Sequence, residues 1–438
     1  MASRSLIVSG TCAVALALAC VTVARAQSPS PAPSAAPSAA PSTGAKPVPV
    51  PSGAALPGAN ASPAGATPTP TATPYKLVTL SGYADAGFTA VAGTDAVRFT
   101  NAIPSRIFDG ATGPFTDFNG GRLLARANDF NAMPNLQNAN LQLLLNGPVV
   151  SAKFEASYGT DADVIASNGQ SRTGVNLTQA YLQFVRGPLT LIAGKFSSLA
   201  GAEVIESPSN TNFSRSYLFG EAVPFTHTGA RLTYAYNSKI SVVAGVNNGW
   251  DDWKFAGKKK TLEGALLLTP SPGYALTLDT YNGNDFVAAG DSARRLLPIY
   301  TNRMLYDGVL TLHPTSALTL VANYDNGTQL GDASSGFTTA HWNGIAGYAT
   351  YQFNPLYALS LRSETFHDST NGFRTGLAQR LISNTATLSF TPNTNLVFRG
   401  EVRTDASDGN NFTFRGAPAL IGRPHQNSLN FETIVKFP

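Results

Sequence analysis

Charge, cysteine and long apolar runs are all scarce in this chain, and each scarcity excludes a class of protein. Charged residues make up 13% of its 438 residues, about half of the ~25% that is typical of soluble domains. Beyond the N-terminal segment, no apolar run reaches the roughly 18 residues that a membrane-spanning helix needs. Cys12 and Cys20 both lie near the N-terminus, which excludes a disulfide framework in the rest of the chain. Such a chain can still cross a membrane with strands.

Residues 1–26 have the features of a secretory signal peptide. Arg4 precedes an apolar run over residues 6–23, and Ala-Arg-Ala at 24–26 supplies the small residues that a signal peptidase recognises. A lipoprotein signal ending at Cys20 is the alternative, although the usual leucine three residues before the cysteine is missing. We therefore expect cleavage before Gln27 and export from a bacterial cytoplasm.

Residues 27–74 are nearly all Pro, Ala, Ser, Thr and Gly, with Lys46 as the only charged residue and no aromatic residue. Such a segment has too little apolar surface to offset the entropy lost on ordering. We expect a disordered periplasmic linker, with contact to the cell wall as the alternative to a passive tether. Without the signal peptide, 28 basic residues face 26 acidic ones, a formal charge of +2, so we expect no nucleic-acid partner.

From residue 75 onward the chain alternates apolar and polar side chains over segments of about ten residues, the length of a tilted membrane-crossing strand. Segments 150–158, 177–186 and 396–403 show this pattern clearly. In the closing segment 426–437, Leu429, Phe431, Thr433, Val435 and Phe437 share one face of an extended strand, and Asn430, Glu432 and Lys436 share the other. One face is suited to lipid and the other to water.

Connection lengths provide an independent signal, because short turns and long loops alternate along the chain. The predicted short turns are 146–148, 186–188, 237–238, 270–273, 314–316, 354–355 and 392–393. The predicted long connections are 91–135, 160–174, 197–224, 249–258, 283–302, 326–340, 368–380 and 406–424. Membrane barrels sort their connections in this way.

These connections predict an all-β fold over residues 75–438, a transmembrane antiparallel up-and-down β-barrel of about sixteen strands. Eighteen strands is the alternative, because residues 91–135 contain enough aromatic residues for one more hairpin. Either number leaves room for an aqueous channel. Both termini are then expected in the periplasm.

Charged residues on the predicted strands must face a wet interior, because each would cost roughly 2–4 kcal/mol near the middle of the lipid. The candidate lumen-facing residues are Lys153, Glu155, Arg231, Asp279, Arg362, Glu364, Arg399, Glu401, Arg403, Glu432 and Lys436. Their mixed signs leave the ion preference open.

The third long connection, residues 197–224, mixes charged with apolar side chains. Its charged candidates are Glu203, Glu206, Arg215 and Glu221. Our hypothesis is that this loop folds into the bore and narrows it, with Arg215 opposing the acids. A loop packed over the outer mouth is the alternative.

No motif predicts a catalytic residue, a cofactor or a metal site. The five histidines lack metal-ligand spacing and a nucleophile partner, so we expect a hydrogen-bonding structural role for His227. The acids Asp251 and Asp252, followed by lysines at 258–260, are expected to be solvated rather than to form an ion site.

Five motifs occur in order in the middle of the chain: Gly-Lys-Phe at 194–196, Glu-Val-Ile-Glu at 203–206, Asn-Phe-Ser-Arg-Ser-Tyr-Leu-Phe at 212–219, Pro-Phe-Thr-His-Thr-Gly at 224–229 and Asn-Gly-Trp-Asp at 248–251. Together they resemble the OmpL-like beta-barrel porin-2 family of bacterial outer-membrane proteins, over about residues 77–437. The closing strand also resembles that of outer-membrane proteins, whose terminal aromatic is read by the insertion machinery, although Pro438 follows Phe437 here.

The resemblance implies a porin-like barrel and transfers few functional residues. We expect a non-enzymatic outer-membrane porin that passes small hydrophilic solutes or ions passively. A structural or adhesive barrel with a plugged lumen is the main alternative, and an outer-membrane hydrolase has less support. The expected partners are outer-membrane lipid and permeating solutes, and a homo-oligomer such as a trimer is left open.

Overall fold

A computed structural model describes most of the predicted barrel. The described residues are 77–91, 134–147, 149–167, 174–254, 259–288, 299–331, 338–369, 372–375, 378–409, 412–413 and 422–437. The predicted signal peptide and linker lie outside them. Among these residues, no helix has both the length and the apolar character required to span a bilayer.

Strands dominate the described chain. They are β1 (Val78–Val91), β2 (Asn135–Leu145), β3 (Val150–Tyr158), β4 (Val175–Arg186), β5 (Leu189–Ser197), β6 (Thr226–Asn237), β7 (Ile240–Asn247), β8 (Thr261–Ser271), β9 (Tyr274–Ala288), β10 (Ile299–Leu312), β11 (Leu318–Gln329), β12 (Ala340–Asn354), β13 (Tyr357–Asp368), β14 (Gln379–Asn393), β15 (Leu396–Ser407), β16 (Phe412–Thr413), β17 (Gly422–Arg423) and β18 (His425–Phe437). The helical segments are an α-helix at Thr160–Val164, a 3₁₀ turn at Ser207–Ser209 and a π-helical turn at Leu218–Ala222.

Sixteen of these strands close into one antiparallel barrel, in which each strand pairs with its neighbours along the chain. β18 closes the barrel by pairing with both β15 and β1, and β16 and β17 form a separate two-stranded ribbon. The prediction of sixteen strands is confirmed. The seven short turns join β2–β3, β4–β5, β6–β7, β8–β9, β10–β11, β12–β13 and β14–β15, all at the end where β1 begins and β18 ends.

The predicted loop 283–302 is wrong in its bounds. β9 continues to Ala288 and β10 begins at Ile299. Asn and Gly at residues 282–284 are turn-forming residues, but the ladder continues through them, and the side-chain amide of Asn302 donates to Asn282 Oδ1 at 2.7 Å. Cross-strand pairing thus overrides the local turn preference.

The two faces of the wall differ as the alternation predicts. On β18, Leu429, Phe431 and Val435 are exposed on the outside, whereas Asn430 and Glu432 are buried inside. The ring of Phe437 lies across Gly82 of β1, where a side chain would overlap it. The last aromatic residue therefore contributes directly to closing the barrel.

An apolar cluster also forms inside the barrel, toward the long-loop end. It contains Tyr281, Leu305, Trp342, Phe366 and Leu381 from five strands, all of which are fully buried. The indoles of Trp342 and Trp250 meet edge to face at 6.0 Å. A packed core of this kind fills part of the cylinder.

Replacing Gly327 with alanine should destabilise this cluster. Gly327 pairs with Trp342, and the indole ring occupies the space that a side chain at residue 327 would need. A methyl group there would displace the ring at a cost of about 1–3 kcal/mol. Thermal unfolding in detergent and near-ultraviolet circular dichroism would measure the loss. The control is Gly347→Ala on the neighbouring strand, where the nearest atom is 4.0 Å away. Equal melting temperatures for the two variants would contradict the prediction.

Candidate functional site

The connection between β5 and β6, residues 198–225, lies inside the barrel and is called the inner loop below. Most of its residues are buried, including Phe213, Tyr217 and Leu218, and its side chains and backbone bond to β11 through β15. Regular structure is limited to the 3₁₀ turn and the π-helical turn. Side chains of the barrel wall must therefore supply many of the hydrogen bonds that the backbone of the inner loop needs, because helix and sheet hydrogen bonds are few there.

Arginines on two strands bind backbone carbonyls of the inner loop. Arg362 on β13 donates to the carbonyl of Ser214 at 2.6 Å, and Arg403 on β15 donates to that of Arg215 at 2.7 Å. Arg399, also on β15, donates to the carbonyls of Ser207 and Asn210. Each guanidinium offers five donors in a fixed plane, which suits it to holding several acceptors at once.

Carboxylates on the same strands accept the backbone N–H groups of the inner loop. Glu401 accepts from Phe213 at 2.8 Å and from Ser214 at 3.1 Å. Glu364 accepts from Tyr217 at 2.7 Å. Hydrogen bonds to charged groups are roughly twice as strong as neutral ones, so the wall charges hold the main chain firmly.

An apolar contact adds to these hydrogen bonds. Leu218 and Ala222 of the π-helical turn pack into the cluster around Trp342, whose indole N–H donates to the carbonyl of Ala222 at 3.1 Å. The loop is thus fixed by charge on one side and by apolar packing on the other.

The four candidate residues of the loop lie in different surroundings. Glu203 is buried and pairs with Arg362 at 2.7 Å. Arg215 donates to the carbonyls of Phe213 and Ile205, which folds the loop upon itself. Glu221 is half-buried, and its backbone carbonyl accepts from Arg374 Nε.

Glu206 faces the opposite wall. Gln179 on β4 donates one amide to Glu206 at 3.3 Å and to Glu155 at 2.7 Å, and Lys153 pairs with Glu155 at 2.9 Å. Next to Glu206, the backbone N–H of Ser207 donates to the hydroxyl of Tyr83 on β1 at 3.3 Å. Removal from water, and then the negative charge of Glu155, raise the pKa of Glu206 from 4.5 to about 8.

All eleven predicted lumen-facing residues occupy inward positions, and several form ion pairs. Arg231 pairs with Glu263 at 2.6 Å, and Arg399 pairs with Glu432 at 2.6 Å. Lys436 is half-buried near the short-turn end. Arg362, Glu364, Glu401 and Arg403 contact the inner loop. Lys153 pairs with Glu155, and Asp279 on β9 is buried.

Sequence analysis missed several other inward charged residues on the barrel strands. They are Asp85, Glu263, Asp285, Arg303, Asp307, Asp325, Asp368 and Asp405. Their spacing from recognised inward residues contained the signal, since Asp405 lies two residues after Arg403 and therefore on the same face. Arg303 directly follows the predicted loop 283–302, so it was placed at the edge of a loop, whereas β10 already begins at Ile299.

The remaining candidates have structural contacts. His227 stacks on Tyr281 with ring centroids 4.7 Å apart, and its Nδ1 lies 3.1 Å from the carbonyl of Gly249. The expectation that Asp251 and Asp252 are solvated is wrong, since both are buried. Asp251 accepts the backbone N–H groups at the start of β6.

In the described part of the chain, no group of three or more His, Cys, Asp or Glu is arranged to hold a metal ion.

Comparisons with known proteins agree with this architecture. The model of a family described as "Putative beta-barrel porin-2, OmpL-like" matches residues 78–437. No curated protein sequence matches the chain. The outer membrane channel DcaP of Acinetobacter baumannii is similar in structure, with a TM-score of 0.54 and 11% identity over 82% of this chain and 97% of that chain.

Two further solved structures have TM-scores of 0.51 and 10% identity over 82% of this chain and 99% of theirs. They are the trimer form of OmpT from Vibrio cholerae and an anion-selective porin from Comamonas acidovorans. At these identities the likeness establishes the fold alone.

Replacing Arg362 with glutamine should release the inner loop. The change leaves Glu203 without its ion-pair partner and Glu364 with less neutralisation, and breaking a buried pair in this way costs about 3–5 kcal/mol. Arg215, buried in the docked loop, then becomes accessible to trypsin. Mass spectrometry should find cleavage after Arg215 in the variant and not in the wild type. Arg186→Gln, in an exposed turn, is the control, and equal protection in both variants would refute the anchoring role.

The raised pKa of Glu206 predicts a titration near pH 8. Because docking of the inner loop raises this pKa, the docked loop favours the protonated carboxyl. Docking is therefore strongest below pH 4.5, the ordinary pKa of a glutamate, and weakens as the pH rises toward 8. Infrared difference spectra of wild type minus Glu206→Gln should contain a protonated-carboxyl band at pH 6 that disappears by pH 9. A difference spectrum without that band at pH 6 would show that the side chain is ionised throughout.

Proposed function

This chain belongs to the OmpL-like beta-barrel porin-2 family, and on that premise we propose that it is an outer-membrane porin for passive diffusion of small hydrophilic solutes. The observation that carries the proposal is a charged loop docked inside a closed barrel whose outer face is apolar. Lipid is the medium that such an outer face favours, and water is the medium that the inner face requires.

Diffusion would follow the part of the lumen that the inner loop leaves open. Toward the short-turn end, the inward-facing side chains Gln142, Lys153, Thr277, Thr311 and Thr350 are only half-buried. Toward the long-loop end, the inner loop covers the wall from β11 to β15. The geometry supports a bore that is wide near the short turns and narrowed beside the loop, so that solute size and charge determine passage.

The orientation in the membrane follows from the same proposal. Short turns lie on the periplasmic side of known outer-membrane barrels, and here both barrel ends of the chain lie at the short-turn end. A linker before residue 75 would then start in the periplasm. OmpT of Vibrio cholerae is described in a trimer form, and a homo-oligomer of this barrel is part of the proposal.

One observation favours a second candidate, a structural barrel with a plugged lumen. The apolar cluster around Trp342 and the inner loop are packed so tightly that Leu218, Leu305 and Phe366 have no exposed surface. If this packing closes the bore completely, loops outside the barrel rather than the lumen would carry the function.

Conductance of the full chain in a planar bilayer decides between these candidates. We expect stepwise single-channel currents from the refolded protein, and larger steps after deletion of residues 211–218, because that segment lies against Glu401 and Arg362 inside the bore. Arg186→Gln, in the exposed turn between β4 and β5, is the control and should leave the step size unchanged. An intact barrel without current would favour the plugged form. Currents of the same size with and without residues 211–218 would remove the inner loop as the constriction.

A further inference from the structure

The exposed charge on this barrel is almost entirely basic. Among the residues whose exposure the structure describes, six lysines and arginines are exposed, against one acid, Asp408. Three of the six, Lys254, Lys259 and Lys260, lie in the connection between β7 and β8. Resting on the membrane orientation proposed above, we propose that these lysines and Trp253 form a binding site for the phosphate groups of an anionic lipid in the outer leaflet. These four residues are called the rim cluster below.

The rim cluster lies where the outer faces of β7 and β8 reach the long-loop end. Val246 is 47% exposed two residues before Asn248, and Leu262 is 60% exposed two residues after Lys260. Since alternate residues of an extended chain share a face, Asn248 and Lys260 continue the lipid-facing side of the wall. The apolar band of these two strands therefore ends in polar and positively charged side chains.

One amide side chain holds the rim cluster together. Lys260 Nζ donates to Asn248 Oδ1 at 2.8 Å, and Asn248 Nδ2 donates to the carbonyl of Trp253 at 3.4 Å. Lys254 Nζ lies 4.5 Å from the centre of the Trp253 ring, which is a cation–π contact. Lys259 is next to Lys260 in the chain and is exposed. The contacts thus place ammonium groups beside an indole that is itself 39% exposed.

This combination of side chains suits the headgroup level of a membrane. Tryptophan is enriched at membrane–water interfaces, because its ring is apolar and its N–H is polar. Lysine lays its apolar stem along the wall and keeps its ammonium group among the headgroups. Each ammonium offers three donors and no acceptor, so its natural partners there are phosphate oxygens. The rim cluster therefore matches an anionic headgroup in both charge and hydrogen bonding.

Exposed acids do not offset this positive charge in the described part of the connection. Asp251 and Asp252 precede the cluster but are buried, and Asp251 accepts backbone N–H groups of β6. Arg380, another exposed base at the long-loop end, differs in this respect. Its backbone N–H donates to the exposed carboxylate of Asp408 at 2.7 Å, so an acid lies beside it. The rim cluster is therefore the stronger attractor for a phosphate.

A lipid fits the site better than a dissolved phosphate does. Val246 and Leu262 present apolar surface directly below the lysines, and the acyl chains of a bound lipid would cover it. A dissolved phosphate would contact only the ammonium groups, which water already hydrates strongly. Apolar contact and charge thus act together for the lipid alone.

Native mass spectrometry of the full chain in detergent tests the proposal. The probe is diphosphoryl lipid A, and phosphatidylcholine, whose headgroup has no net charge, is the comparison lipid. A basic residue near an anionic lipid surface contributes enough to change affinity roughly five-fold. Lys259→Gln should therefore weaken lipid A binding roughly five-fold, and Lys254→Gln combined with Lys259→Gln about 25-fold. Binding of phosphatidylcholine should be the same in wild type and variants.

Lys239→Gln is the matched control. It makes the same chemical change at an exposed lysine in the short turn at the other end of β7, and it should leave lipid A binding unchanged. Equal losses in Lys239→Gln and Lys259→Gln, or an unchanged affinity in the double variant, would overturn the site. Inorganic phosphate that displaced lipid A at equal concentration would also overturn it, because the lysines alone would then account for binding.

Conductance of the same samples keeps this proposal separate from the porin function. We expect the double variant to conduct as the wild type does while it loses lipid A, because the rim cluster lies on the outer face of the barrel. Wild-type channels that conduct but bind lipid A no more tightly than the double variant would overturn the lipid site alone. Lysine-dependent binding by an intact barrel without current would support the site and overturn the porin function alone.

Discussion

The fold depends on a wall that is one strand thick. Every side chain on such a wall points either to lipid or to the interior, and charge on the lipid side is too costly to keep. The outer face of β18 is accordingly apolar, and its inner face carries Asn430 and Glu432. Most of the charge on the strands is thereby concentrated in a confined interior, where each group needs a partner or water.

The inner loop is part of the solution to that crowding. Its backbone carbonyls accept from Arg362, Arg399 and Arg403, and its N–H groups donate to Glu364 and Glu401. Side chains of the barrel wall thus replace the hydrogen bonds that a helix or strand would supply, which explains how a loop with two short turns can be largely buried. The wall and the loop stabilise each other, so that changing a wall charge also changes the loop.

The sequence alone was enough to predict the features that depend on residues close together in the chain. Alternation and turn residues predicted sixteen strands and the inward placement of Arg399, Glu401 and Arg403, because period two is visible in any single strand. It did not capture the partner of Glu203, since Arg362 is 159 residues away and their contact depends on barrel register and on the docking of the loop. Three inward aspartates on β9, β10 and β11 are likewise solitary in the sequence, and only the register of these strands places them side by side.

The net charge of the chain is a poor guide to the composition of the barrel interior. After the predicted loss of the signal peptide the chain is almost neutral, yet in the part that the structure describes sixteen acidic residues are buried against eight basic ones. Basic residues that would restore the balance include Arg186, Lys239 and Lys260, which are exposed in turns and loops at the two rims. Salt screens such exposed charges within about 10 Å, whereas charges in a confined low-dielectric interior are screened much less. The number of buried acids still overstates the buried negative charge, because a carboxyl that is removed from water beside another acid, such as Glu206 beside Glu155, has its pKa raised to about 8 and stays protonated at neutral pH.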